Sequence, residues 1–260
     1  MEDMGRTAQL LLAVSLLGAV LLGPAARPAT AESNNSALSP YWGRSITQWA
    51  DLIAYYGGTR GLDPDLIAAM IYEESHGNAG LISSAGAVGL MQIMPREVKG
   101  FEWRPPRAEL LESSVNLFWG TRTFGQVLQQ AEGSVDRALA AYNGGWEQEM
   151  LRAPQIYKSK VLDHYARALA ARAGYDARSM KAWKLVVDIH SSGGLSRRHI
   201  LKSDGTTLDG AGFDLSKLPD STPHAVTYSA IDDDNTAWLV ETWLIVEPIE
   251  GGTPDDHGTY

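Results

Sequence analysis

Residues 71–95 run IYEESHGNAGLISSAGAVGLMQIMP. Two adjacent glutamates, Glu73 and Glu74, close an apolar run, a loop of Gly, Ala and Ser follows, and Gly89-Leu90-Met91-Gln92 opens a second apolar segment. On a wheel of about 100° per residue drawn over Pro64 to Ser75, Leu66, Ile67, Met70 and Ile71 form one apolar stripe. Glu74 falls within roughly 10° of the centre of that stripe, and Glu73 about 90° to one side. Glu73 is therefore expected to reach solvent, while Glu74 points the way the core points. Burial penalises the charged carboxylate and raises its pKa. The partial negative charge at a helix C-terminus acts in the same direction. A glutamate tuned toward roughly 6–7 stays protonated near neutral pH and can donate as a general acid. The same wheel position also suits a carboxylate that snorkels or pairs with an arginine, so the wheel alone assigns no chemistry.

The loop adds to this. Ser83 to Gly89 has two glycines and little bulk, so its backbone can approach a ligand closely. Gln92 brings donor and acceptor groups suited to sugar hydroxyls and amides.

Outward from this stretch, helical periodicity covers segments 45–57, 64–75, 87–99, 113–131, 134–142 and 155–173. Asp63 before Pro64 predicts an N-cap with proline at the first helical position. After Lys181 the texture changes to β-branched and aromatic runs: WKLVVDIH, RHILKS, HAVTYSA and AWLVETWLIVE. These predict a small antiparallel β unit. The expected organisation is a signal peptide over 1–31, a linker over 32–44, a catalytic domain over 45–178, a β-rich accessory unit over 179–250 and a disordered acidic tail over 251–260. Ala8 to Leu22 is short for a membrane span of ~20 residues and precedes a small-x-small signal at Ala29-Thr30-Ala31, so export is expected with no stable membrane span after cleavage, and an uncleaved anchor is the alternative because Glu2 and Asp3 offset Arg6. The change of composition near Asp176–Lys181 suggests that residues 32–178 fold and act without the β unit.

The chain has 260 residues and no cysteine, which excludes a cysteine nucleophile and a thiolate zinc site. Residues 204–260 hold twelve acids against one base, Lys217, whereas residues 32–203 hold seventeen acids and nineteen bases. There is no basic patch for nucleic acid. The acidic C-terminal unit is instead a candidate surface for a protein partner. The six histidines form no HExxH pair, and no metal or cofactor is expected. Asp232-Asp233-Asp234-Asn235 reads as a turn between strands before it reads as a calcium site.

The stretch GLDPDLIAAMIYEESHGNAGLISSAGAVGLMQIMP resembles the core motif of the lytic transglycosylases of the soluble-Slt, goose-lysozyme-like catalytic domain. The resemblance runs in register from Glu74-Ser75 through Ser84, Gly86, Gly89 and Gln92 to Met94-Pro95. NLFWG at Asn116–Gly120 and ALAAYNGG at Ala138–Gly145 resemble two further motifs of that family, in its order. It covers about residues 45–170. The chain departs from the pattern at Gly77 and Ala79, at Pro105-Pro106 and in WEQEMLRAPQIY. The resemblance implies an α+β chain, with a mainly helical lysozyme-like catalytic domain followed by the β unit. It implies that Glu74 is the catalytic acid/base of an exported enzyme acting on peptidoglycan glycan strands. The bond cleaved would join N-acetylmuramic acid to N-acetylglucosamine, and the product would be a 1,6-anhydro sugar. Ser75, Ser84, Gln92, Met94, Tyr142 and Asn143 match substrate-contacting positions. The alternatives are a lysozyme-like hydrolase on the same fold and a non-catalytic glycan-binding or assembly protein.

Overall fold

The computed structural model describes residues 37–229 and 237–247, all within one compact unit, Asn34–Tyr260. The expected signal peptide, the tail over 251–260 and the Asp232–Asn235 turn lie outside the described residues. Seven helices are described: α1 (Arg44–Thr47), α2 (Ala50–Gly58), α3 (Pro64–Ser75), α4 (Arg107–Leu110), α5 (Ser113–Gln130), α6 (Val135–Gly144) and α7 (Arg152–Arg172). Five strands follow: β1 (Trp183–Ser191), β2 (Ser196–Lys202), β3 (Thr207–Asp209), β4 (His224–Ser229) and β5 (Trp238–Val246). The fold is α+β, as expected.

Local signals set the limits of α3. The Asp63 carboxylate accepts the Asp65 N–H at 2.7 Å, and Pro64 occupies the first turn, where its missing N–H costs nothing. The helix stops where His76 and Gly77 turn left-handed, at φ 54° and 81°. Gly77 is obligatory there, since a Cβ would run into the Ser45 carbonyl. Leu66, Ile67, Met70 and Ile71 are all buried, as the wheel requires.

The expected helix over 87–99 is not there. The segment is a loop held by single bridges, Ile82 to Val88 and Val88 to Ile93, with Gly89 and Gln92 at φ 76° and 47°. Its backbone groups find their partners in the side chain of Asn116 on α5. Asn116 Oδ1 accepts the Met91 N–H at 2.8 Å. Its Nδ2 donates to the carbonyls of Val88 (2.8 Å) and Leu110 (2.9 Å). One buried amide thus serves the Met91 N–H and the Val88 carbonyl of the loop and ties both to the Leu110 carbonyl of α4, and buried backbone groups must find such partners. The glycine four residues on serves the same loop, because a Cβ at Gly120 would collide with the Met91 side chain.

The sheet runs in the order β3-β2-β1-β5-β4, and every pairing is antiparallel. Central β1 is buried at five successive residues, Leu185 to Ile189, whereas β5 alternates, with Trp238, Val240, Thr242 and Leu244 inward. Strand β3 had no counterpart among the four expected runs.

The composition break near residue 178 is not a break in packing. Buried residues of α5, α6 and α7 form one cluster with Trp183, Leu185, Ile189, Val240 and Leu244. Trp183 Nε1 donates to Asp163 of α7 at 2.9 Å, and Gly133 admits Ile189 and Trp238, leaving no room for a Cβ. The expected linker is also packed where it is described. Leu38 and Trp42 are buried. The Ser39 N–H and Trp42 Nε1 both donate to the Asp65 carboxylate, at 2.9 and 2.8 Å, which Arg172 also contacts. A fully buried carboxylate needs such partners, and this segment supplies them.

Candidate active site

The end of α3 divides two carboxylates between two cavities. Glu74 lines a cleft of about 670 Å³ together with Ser83, Gln92, Met94, Arg104, Tyr142, Asn143 and Trp146. Glu73 lines a separate cavity of about 710 Å³, with Tyr72, Lys160 and His164. The strands contribute no residue to the Glu74 cleft among those described.

The electrostatics of the pair are opposite. Burial pushes the Glu74 carboxyl up to about 7. The nearby Tyr157 hydroxyl works against that rise, and the Glu73 charge adds to it. Glu73 is instead held below the ordinary range, chiefly by its hydrogen bond with His164, with Lys160 reinforcing and burial opposing. His164 Nε2 lies 3.1 Å from Glu73 and Lys160 Nζ 3.2 Å. His164 Nδ1 meets the Tyr41 hydroxyl at 2.8 Å. The expectation that Glu73 simply reaches solvent is corrected here: its side chain is only 10% exposed. It turns away from the stripe, but into a set of ion pairs.

Of the other expected residues, Gln92, Met94, Tyr142 and Asn143 line the cleft with Glu74. Gln92 donates through Nε2 to the carbonyls of Gly89 (2.9 Å) and Leu81 (3.2 Å), which fixes its amide across the loop. The Tyr142 hydroxyl donates to the Met91 carbonyl at 2.9 Å. It therefore ties α6 to the 88–93 loop, and makes no hydrogen bond to Glu74. Burial pushes its phenol well above the ordinary range, with the Glu74 charge next in effect.

The two serines sit elsewhere. Ser75 is buried, its hydroxyl bonded to the carbonyls of Leu90 (2.9 Å) and Ile71 (3.2 Å). The dipeptide Glu74-Ser75 is thus an acid followed by a clamp on the Leu90 loop. Ser84 is exposed and outside the cleft lining, which its neighbour Ser83 joins.

Two residues of the site were missed. Tyr157 on α7 meets no partner with full hydrogen-bond geometry, yet its hydroxyl is close enough to act on Glu74. In sequence it continues the apolar stripe with Val161 and Tyr165, so its spacing reads as core. Arg104 lies in the irregular segment between Pro95 and Pro106, which carries no periodic signal. Among the described residues no three acids or histidines gather as a metal set. No described helix is long and apolar enough to cross a membrane.

Residues 51–160 match the family model of the Transglycosylase SLT domain. A transglycosylase of Enterobacteria phage PRD1 is 34% identical over 116 residues, which cover 44% of this chain and 42% of that protein. The endo-type membrane-bound lytic murein transglycosylase A of Klebsiella pneumoniae subsp. pneumoniae is 34% identical over 100 residues, covering 34% of this chain and 49% of its own length. The chain thus spans about half or less of these relatives. Among solved structures, an inactive mutant of the lytic transglycosylase Slt of Pseudomonas aeruginosa aligns at 24% identity and a TM-score of 0.40, over 45% of this chain and 23% of that one. Motif, register and family model agree over residues 51–160, the part of this chain that is similar to the Transglycosylase SLT domain.

Proposed function

We propose that the chain is an exported peptidoglycan lytic transglycosylase with Glu74 as its acid/base. The observation that carries this reading is that Glu74, raised to about 7, is the sole carboxylate among the described residues lining its cleft. A two-carboxylate glycosidase needs its second acid about 5–9.5 Å from the first. The neighbouring Glu73 faces another cavity and is held ionised by His164 and Lys160. One acid is enough when no water has to be activated.

Glu74 first gives its proton to the oxygen joining N-acetylmuramic acid to N-acetylglucosamine, and the C1–O bond breaks with its electron pair leaving on that oxygen. The N-acetyl carbonyl supports C1. The Glu74 carboxylate then removes the proton from the muramoyl 6-hydroxyl as O6 bonds to C1. The acid is restored, and the product is a 1,6-anhydro sugar. Gln92, Met94 and Asn143 bind the glycan in this scheme, and Tyr142 positions the loop that carries Gln92.

The test is turbidity loss on purified sacculi by the wild type and Glu74→Gln. Clearing by the wild type alone fits the assignment, and clearing by both contradicts it.

A further inference from the structure

Arg104 stands on the wall of the Glu74 cleft and is only 8% exposed. Among the described residues no acceptor takes a hydrogen bond from its guanidinium, and its Nε is buried without a partner. The group lies over aromatic rings instead: 4.3 Å from the Trp103 centroid, 5.6 Å from Trp119 and 5.9 Å from Phe101. Such rings hold the plane of a guanidinium but satisfy no N–H in it. Arg122 shares the Trp119 ring at 5.4 Å and also has no ion pair among the described residues. The nearest acid in sequence, Glu102, is occupied with the Gly100 N–H at 3.0 Å.

Two guanidiniums share one tryptophan, and the inner one keeps a buried Nε without an acceptor, an arrangement that an anion on the cleft side would complete. The planar fork of arginine matches a carboxylate with two parallel hydrogen bonds. Glu74 is not that carboxylate, since Arg104 is not among the groups that shift its titration.

We propose that Arg104, held over the Trp103 ring with Arg122 nearby, binds a carboxylate carried by the glycan substrate. It rests on the peptidoglycan reading for the glycan alone. Such a strand offers carboxylates from two sources. One is the lactyl acid of a muramic residue that has lost its peptide, and the other is the stem peptide itself.

The test reads binding in the Glu74→Gln background, so that cleavage plays no part. Calorimetry compares a neutral chito-oligosaccharide, a peptide-free muramic oligosaccharide with lactyl carboxylates, and a peptide-bearing one. At least one carboxylate-bearing probe is expected to bind about tenfold more tightly than the neutral one or better. Adding Arg104→Met should remove that margin and leave the neutral affinity in place. A margin with the peptide-free probe assigns the lactyl acid, and one with the peptide-bearing probe alone assigns the stem. Should the methionine variant not fold, Arg104→Lys keeps the charge and loses the fork, with a loss of about threefold or more expected. Equal binding of all probes, no binding by any, or a margin that survives substitution of Arg104 overturns the proposal. A carboxylate margin together with no anhydro product from the wild type would sink the lytic reading and leave the role of Arg104 standing.

Discussion

Glu73 and Glu74 are peptide neighbours at the end of α3 whose residues line different cavities. One step of about 100° along the helix separates an ionised, hydrogen-bonded acid from a desolvated one. Their titrations are driven apart, and such a divergence is what separates an acid catalyst from a spectator.

Substitution should therefore discriminate sharply between them. Glu74→Gln is expected to lower the cleavage rate by about 10²–10⁴, the usual cost of losing general acid–base catalysis. Glu73→Gln should cost less than about tenfold, because it acts only through its charge on Glu74. Initial rates of sacculus solubilisation check the ordering, and a larger loss in Glu73→Gln would reverse the assignment.

The raised acid also predicts a pH profile. In the proposed scheme Glu74 starts the reaction protonated, so activity should fall as pH rises through about 7. A rate that keeps climbing to pH 9 would show that the group is not the proton donor.

The same shift has a consequence for stability, with opposite sign to that of a salt-bridged acid. The native state holds the Glu74 proton up to about 7, while the unfolded chain releases it near 4.5. The native state thus binds more protons between these values, and stability falls as pH rises through that window. The shift sets a ceiling of about 3 kcal/mol on this loss. Glu74→Gln escapes it. Thermal unfolding should find the variant more stable than the wild type at pH 8 and nearly equal to it at pH 4.

The site's scaffold was only partly legible in the sequence. The N-cap of α3, its stripe and the placement of Glu74 follow from local rules, because Asp63 and Pro64 act within the first turn. The 87–99 segment defeated those rules. Its apolar spacing fits a helix, but its conformation is dictated by Asn116, which lies 25 residues beyond Met91 in the chain. Tyr142 and Tyr157 occupy apolar helix faces, and only the packing shows that one clamps the Met91 carbonyl while the other approaches Glu74. Ser75 illustrates the converse: it is next to the acid in sequence and faces the core.

Asn116→Ala tests the loop's dependence on that distant amide. Removing it leaves the Met91 N–H and the Leu110 carbonyl without this partner, while the Val88 carbonyl keeps the Ile93 N–H. A loss of about 2 kcal/mol or more is expected, at about 1–3 kcal/mol for each unsatisfied group. Urea unfolding measures it, and a loss under about 1 kcal/mol would mean that the loop finds other partners.

Truncation probes the shared core. Deleting residues 179–260 would uncover the helical surface that packs on Trp183, Ile189 and Val240. The truncated protein should unfold at a lower temperature than the full chain or be insoluble. An unchanged unfolding temperature would show that the helical domain is complete without its sheet.

Digestion of sacculi in heavy-oxygen water, with mass spectrometry of the released muropeptides, bears most directly on the single-acid scheme. If Glu74 acts alone and O6 closes on C1, the products are one water lighter than hydrolysis products and carry no heavy oxygen. Reducing ends labelled with heavy oxygen would mean that water attacks C1 and that the chain is a hydrolase.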